Sequence, residues 1–350
     1  MVYIFLVSWV IVCGIICFRY DKNYNVRFLV LSALCLVAIM GLRSLSVGVD
    51  TSTYSEYYYS VSNLSMKDIV SSFYTQSMEV GYCIFIKICS LIVKDYFFFQ
   101  IVYAVIFTAL IAKFLYDNST NIFISLIVYL GIGAYLLSFN ISRQMLAVAI
   151  VINGWTYLKK RKIVLALLLY ALAISIHITA ISFIIGYLIY VLRNKKVVMR
   201  VIPLIIVLLS LNYKWLLNIF YNNSTLFKSY FHKDYRQTAG WVWVLWLIII
   251  AIALFILYFR KTHINEHMAI ANYSLLWVAC NVIGLEFSYF ERVGLYYIMF
   301  VPILVALLLQ YMSNSRLKRT YEFAVCLCFI LYFLISALGP EQYKYTFFFS

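Results

Sequence analysis

Phe28-Leu-Val-Leu-Ser-Ala-Leu-Cys-Leu-Val-Ala-Ile-Met-Gly-Leu42 runs without a charge straight into Arg43-Ser-Leu-Ser-Val-Gly-Val-Asp-Thr-Ser-Thr-Tyr54. The first stretch is too apolar and too long for an exposed element. The second is polar, charged and glycine-containing. Charge beside lipid is costly, so a polar segment at the end of such a run is expected to face a water-filled site.

The rest of the chain repeats this alternation. Of its 350 residues 65% are hydrophobic and 12% charged, against about 25% charged in a soluble domain, and the mean hydropathy is +0.93. Continuous apolar stretches lie at 2–18, 28–42, 78–93, 96–115, 121–139, 142–158, 163–176, 178–192, 201–213, 241–259, 268–285, 294–312 and 321–338. They lack the period-two alternation of a membrane β-barrel. The sequence therefore predicts an all-α, polytopic integral membrane protein, with about 12 to 13 membrane helices including short or re-entrant ones. No linker or repeat divides it, and residues 1–350 are expected to form a single membrane domain. The first stretch lacks basic residues ahead of it and a small-residue cleavage site, so it reads as a retained span.

The net charge is +15. Its Lys and Arg residues cluster in short loops, which the positive-inside rule assigns to the cytoplasm, and nucleic acid is not an expected partner. The basic loops are Arg19–Arg27, Lys159-Lys-Arg-Lys162, Arg193–Arg200, Arg260-Lys261 and Arg316–Arg319. Residues 163–192 run between two of them, so two short helices must cross there and return. His177 falls near their turn, toward the outer side. The Arg43–Gln76 loop, Ser142-Arg-Gln144, Lys214–Gly240, Glu286–Arg292 and the tail after Leu338 can share that outer side. Five apolar stretches lie between the first two basic loops, where parity demands four or six. Either 78–93, short and interrupted by Lys87, is a re-entrant or tilted helix, or the Arg43–Gln76 loop is cytoplasmic.

The eight cysteines all lie in apolar stretches and read as small buried hydrophobes, not as a disulfide framework. His263-Ile-Asn-Glu-His267 has metal-like spacing but sits in a basic loop and reads as solvated. No metal and no cofactor is expected, and no nucleotide-binding glycine motif is present in the chain.

Candidate site residues are the polar groups of the outer side: Arg43, Asp50, Tyr54, Glu79, Arg143, Gln144, His177, Glu291, Arg292 and Tyr297. Arg43, Arg143 and Arg292 stand at the ends of apolar stretches. Guanidinium groups suit phosphate, because they stay charged and offer paired donors; singly, each could equally cap a helix or reach lipid headgroups. His177 has no charged neighbour between Lys162 and Arg193. It can be a general base or a structural hydrogen bonder. Asp50 follows Gly48 beside a tyrosine cluster. Carboxylates with aromatics suit sugars, although tyrosine is also common at membrane interfaces.

The chain resembles the EpsG-like, Wzy-type polysaccharide polymerases of bacterial envelopes. The matching pieces are Gly41–Tyr54, Glu79-Val-Gly-Tyr82, and Ser142-Arg-Gln-Met-Leu-Ala147 leading to Tyr157–Lys162. Next come Ala173 with His177 and Ala180, Glu291-Arg-Val-Gly-Leu-Tyr-Tyr297 with Pro302, and Gly339–Phe349. The family usually reads Gly-Thr-Asp where this chain has Gly48-Val49-Asp50. The resemblance implies an enzyme of the bacterial cytoplasmic membrane, with its site toward the outer face. Such enzymes transfer a glycan from undecaprenyl pyrophosphate to a sugar hydroxyl of an incoming lipid-linked unit. It implies lipid-linked oligosaccharide as substrate, and a chain-length regulator and a flippase as partners. In that setting Arg143 and Arg292, with Arg43, would bind pyrophosphate. His177 or Asp50 would accept the proton, while Glu79 and the tyrosines position sugars. A single-sugar transferase using polyprenyl-phosphate sugars and a transporter of lipid-linked oligosaccharide are the alternatives.

Overall fold

The computed structural model describes residues 1–20, 23–71, 78–212, 250, 264–284 and 288–349. The expected apolar stretch 241–259, the Lys214–Gly240 segment, Lys22, Gln76, Arg260-Lys261, His263 and Glu286 lie outside them. The described chain is helical, and its only β pairing is one antiparallel bridge, Arg43 with Phe347. The helices are α1 (Val2–Tyr20), α2 (Tyr24–Gly41), α3 (Thr51–Ser62), α4 (Met66–Ser71), α5 (Val80–Ile92), α6 (Tyr96–Asn118), α7 (Ile122–Gly131) and α8 (Ala134–Asn140). After them come α9 (Ser142–Lys159), α10 (Ile163–Ile176), α11 (Ile184–Leu192), α12 (Lys196–Leu211), α13 (Ile264–Gly284), α14 (Ser288–Gly294), α15 (Phe300–Gln310) and α16 (Ser315–Leu338).

By length and composition α2, α6 and α16 can each cross a membrane. The pairs α7–α8, bent by 49°, and α14–α15, bent by 48°, raise that to five if each is one broken span. The α7–α8 bend falls at Gly133, whose φ of 77° suits a residue without a side chain. Shorter apolar helices include α5, α10 and 178–192. At 13 residues, α5 is about 20 Å long, less than the ~30 Å hydrocarbon thickness. The expectation of a short helix at 78–93 is thus met. Two polar helices, α3 and α4, arise where apolar periodicity gave no sign of an element.

The described residues group into two compact units, Met1–Ala180 with Leu309–Ser350, and Ile181–Leu308. In the first, α9 is the central post. It packs on α6, α8 and α10, and is buried almost without interruption from Gln144 to Thr156. Protein neighbours rather than lipid surround it, so it tolerates polar side chains that each find a partner. The Asn153 amide donates to the Leu110 carbonyl at 2.9 Å, and the Thr156 hydroxyl accepts from Asn118 at 2.8 Å. The helices with lipid-type faces are α1, α10 and α16, whose large apolar side chains are exposed. The described cysteines are all free; most are buried as expected, and Cys328 is exposed on α16.

Buried helix ends need donors for their last carbonyls. The Lys87 ammonium donates to Ser62 at the end of α3, at 2.8 Å, and the Tyr58 hydroxyl donates to Val93 at the end of α5, at 2.7 Å. Lys87, which interrupts the apolar stretch, therefore ties α5 to α3.

In the second unit, Phe183, Tyr273, Tyr297 and Phe300 form an aromatic core. The Tyr273 hydroxyl donates to Gly186 at 2.8 Å.

A close helix approach in the first unit is at Gly81 of α5. A Cβ there would stand 2.3 Å from Ser175 Oγ and 2.6 Å from the Ser175 carbonyl oxygen, at the end of α10. Gly81→Ala is expected to force α5 away from α10 and cost roughly 1 to 3 kcal/mol. Thermal unfolding in detergent checks this, and an unchanged midpoint would show that the approach is looser than described.

Candidate active site

The close approach at Gly81 has a chemical consequence two residues earlier. Glu79 is the residue before α5, in extended conformation, with its side chain making no cap bond to its own helix. That frees the carboxylate to reach outward. His177 ends α10, where the chain leaves the helix (φ −153°, ψ 115°) and enters the 3-10 turn Ile178–Phe183. Arg143 is the second residue of α9, just after the break at Ile141. Three interruptions in three apolar segments thus bring three polar side chains to one place.

Glu79 is the hub. Its Oε1 pairs with His177 Nδ1 at 3.0 Å and accepts the Ile178 amide N–H at 3.0 Å. Its Oε2 stands 2.7 Å from an Arg143 guanidinium nitrogen. That contact is not aligned as a hydrogen bond, so charge rather than direction holds it. Burial alone would raise the Glu79 pKa. The His177 hydrogen bond, the Arg143 charge and the Ile178 amide outweigh it and bring the group down to about 2. Glu79 is therefore an anion at any physiological pH. A carboxylate accepts only, so Nδ1 of His177 carries a proton. The other ring nitrogen, Nε2, is buried and has no hydrogen-bond partner among the described residues, and His177 as a whole is 6% exposed. An unsatisfied buried acceptor costs about 1 to 3 kcal/mol, an expense that suits a group waiting for a donor.

Asp50 and Tyr54 adjoin this cluster. Gly48 turns the chain at φ +98°, where a Cβ would strike Thr51 Oγ1 at 2.7 Å and the Phe139 carbonyl at 2.8 Å. Only glycine fits both the angle and the space. Asp50 then precedes α3, half-exposed, with no side-chain cap bond. One turn on, the Tyr54 hydroxyl lies near Ser142 and Arg143, and it feels the charges of both Arg143 and Asp50. Its ring meets Tyr82 edge-on at 6.1 Å. Tyr54 thus lies between the Asp50 loop and Arg143.

Several expected site residues are placed otherwise. Arg43 is 2% exposed, with its guanidinium donating to the Met40 carbonyl and lying 4.8 Å over the Phe139 ring. It caps the end of its own helix and faces protein. Gln144 is buried within α9 at 3%. Tyr297, 1% exposed, donates to the Ser182 carbonyl at 3.3 Å and stacks on Tyr273. It is a core residue of the second unit. Glu291 and Arg292 lie on α14 of the same unit. Glu291 is held so near Gly284 that a Cβ there would meet its Cγ at 2.3 Å, and Arg292 is exposed.

Sequence reasoning missed Ser142, Gly81 and the Ile178 amide. Gly81 could have been found: a glycine two residues after a lone acidic group, at the start of an apolar helix, marks a close packing point that fixes the carboxylate.

The architecture defines a polytopic α-helical membrane protein with a half-buried carboxylate–imidazole–guanidinium cluster. The model of one family, EpsG, matches residues 26–348, nearly the whole chain, and the chain belongs to that family. No curated protein and no solved structure matches it.

The lowered Glu79 pKa has a stability consequence with a definite sign. The folded value lies below the ordinary 4.5. The carboxylate's stabilisation is therefore complete above that pH and lost as pH falls toward 2. Thermal unfolding of wild type and Glu79→Gln should differ most above about pH 5 and converge on acidification. A difference that grows as pH falls would contradict the ion pair.

Proposed function

We propose that the chain polymerises lipid-linked oligosaccharide repeat units, transferring a glycan from undecaprenyl pyrophosphate to a sugar hydroxyl of an incoming lipid-linked unit. Membership of the EpsG family supports polysaccharide polymerisation as the class of reaction. The observation that carries the residue roles is the single Glu79 carboxylate held between His177 and Arg143. In this reading the site opens toward the outer face of the bacterial cytoplasmic membrane. A flippase supplies the lipid-linked units, and a chain-length regulator acts on the product.

The chemistry requires three things. The acceptor hydroxyl must lose a proton as its oxygen bonds to the donor's anomeric carbon. The bond from that carbon to the pyrophosphate oxygen must break. The departing pyrophosphate must be stabilised as it takes the electron pair. His177 Nε2, without a hydrogen-bond partner among the described residues, takes the proton. Glu79 keeps Nδ1–H pointed the right way and stabilises the imidazolium that forms. Arg143 offsets charge on the leaving pyrophosphate. A guanidinium has five N–H donors, so it can hold Glu79 and a phosphate oxygen together. Asp50 and Tyr54, at the water-exposed edge, bind sugar hydroxyls, with Asp50 a second candidate for proton acceptor.

The test is polymer length on gels from cells lacking the wild-type gene and carrying variants at normal protein level. His177→Ala and Arg143→Ala are each expected to lower polymerisation about 100-fold or more, leaving single units. Glu79→Gln, which keeps shape and removes charge, should cost about 10- to 100-fold. Wild-type ladders from all three would discard the assignment. A product lengthened by one sugar, in place of a ladder of repeats, would favour the single-sugar transferase.

A further inference from the structure

The chain after Gly339 packs along the segment that carries Asp50. The Phe348 amide donates to Leu42 at 3.0 Å, the Ser44 amide to Thr346 at 2.9 Å, and the Gly48 amide to Gln342 at 2.8 Å. Side chains continue the seam: the Tyr345 hydroxyl donates to the Ile39 carbonyl at 2.9 Å, and the Ser44 and Thr346 hydroxyls are 2.6 Å apart. These contacts join residues some three hundred positions apart, so they are not products of local sequence.

One side chain links this seam to Arg143. Asn140, the last residue of α8, is three positions before Arg143. Its Oδ1 accepts the Val49 amide N–H at 2.9 Å, immediately before Asp50. Its Nδ2 donates to the Tyr343 hydroxyl at 2.7 Å. A carboxamide can be turned end for end, and nothing about its own shape fixes which end faces Val49. The Val49 amide can only donate and so fixes the oxygen end, while the Tyr343 hydroxyl accepts from the nitrogen end and holds the carboxamide in place.

We propose that Asn140 and Tyr343 are positioning residues: together they set the Asp50 loop against the Arg143 end of α9. This rests on the polymerase reading for its activity consequence, though the joint itself does not. Neither side chain touches a reacting atom in this account. The effect is geometric, since a displacement of about 1 Å at reacting groups can cost 100-fold in rate.

A double-substitution cycle on the purified full-length chain in proteoliposomes tests it. The substrate is the lipid-linked repeat units extracted from a strain lacking the polymerase gene. Tyr343→Phe keeps the ring and removes the oxygen, and should lower kcat roughly 10-fold. Asn140→Ala should lower it roughly 10- to 100-fold, with KM unchanged within about twofold in both. Because both act through one joint, the double variant should be no slower than Asn140→Ala. Tyr345→Phe, which loses a hydrogen bond of the same tail but off the joint, should keep wild-type kcat. Multiplying losses in the double variant, or an equal loss in Tyr345→Phe, would overturn the proposal. An activity-independent readout accompanies this. Hydrogen exchange of the 44–50 segment should speed up in Asn140→Ala and in Tyr343→Phe at unchanged global unfolding midpoint. Unchanged exchange would overturn the joint. Should wild type itself build no ladder, the polymerase reading fails, and hydrogen exchange still decides the joint.

Discussion

A charged carboxylate among apolar helices needs partners, and Glu79 has three. It takes a ring N–H from His177, a backbone N–H from Ile178 and a cation from Arg143. Each partner sits where a helix starts or stops, so the carboxylate joins three chain breaks. Removing it would leave a cation and an imidazole with lost partners in a place where water is scarce, which is more costly than losing the same contact at a surface. The close contact of Gly81 with Ser175, the α9 break at Ile141 and the turn after His177 are the local conditions that let the three meet.

This geometry gives one set of residues two kinds of task. Glu79 and Gly81 hold; His177 and Arg143 are held. Nε2 has no hydrogen-bond partner among the described residues. In the proposed polymerase, a supporting carboxylate that fixes the groups meant to act is the condition that pre-organised catalysis asks for. In the proposed joint, Tyr343 and Asn140 belong to the holding part.

Much of the architecture was legible in the sequence, because membrane helices announce themselves by long uncharged runs. Positions from α1 to α16 were located within a few residues wherever the run was apolar. Helices α3 and α4 were not, since Thr51–Ser62 is polar and tyrosine-rich and owes its helicity to packing against α5. The site was legible as a list rather than as an arrangement. Arg143 and His177 stood out because charge is scarce around them, and the structure brings both to Glu79. Arg43 stood out for the same reason and proved to be turned inward, onto Met40 and Phe139. A sequence shows that a charge sits at a helix end, but not whether the side chain runs back along its own helix or forward into a cleft. Tyr297 lies in a core, tyrosine being a residue that serves both interfaces and cores. Asn140 and Tyr343 carried no sign at all: an asparagine and a tyrosine two hundred residues apart are unremarkable until the fold joins them.

The central claim is that Glu79 fixes the tautomer of His177 and leaves Nε2 as the proton acceptor. Nitrogen-15 NMR of the imidazole reads this directly. The chain has four histidines, so histidine-selective labelling with His177→Gln as the subtraction control isolates the signal. At about pH 8, where free imidazole is neutral, the account predicts a protonated Nδ1 and a bare Nε2. A proton on Nε2 with Nδ1 bare would contradict it.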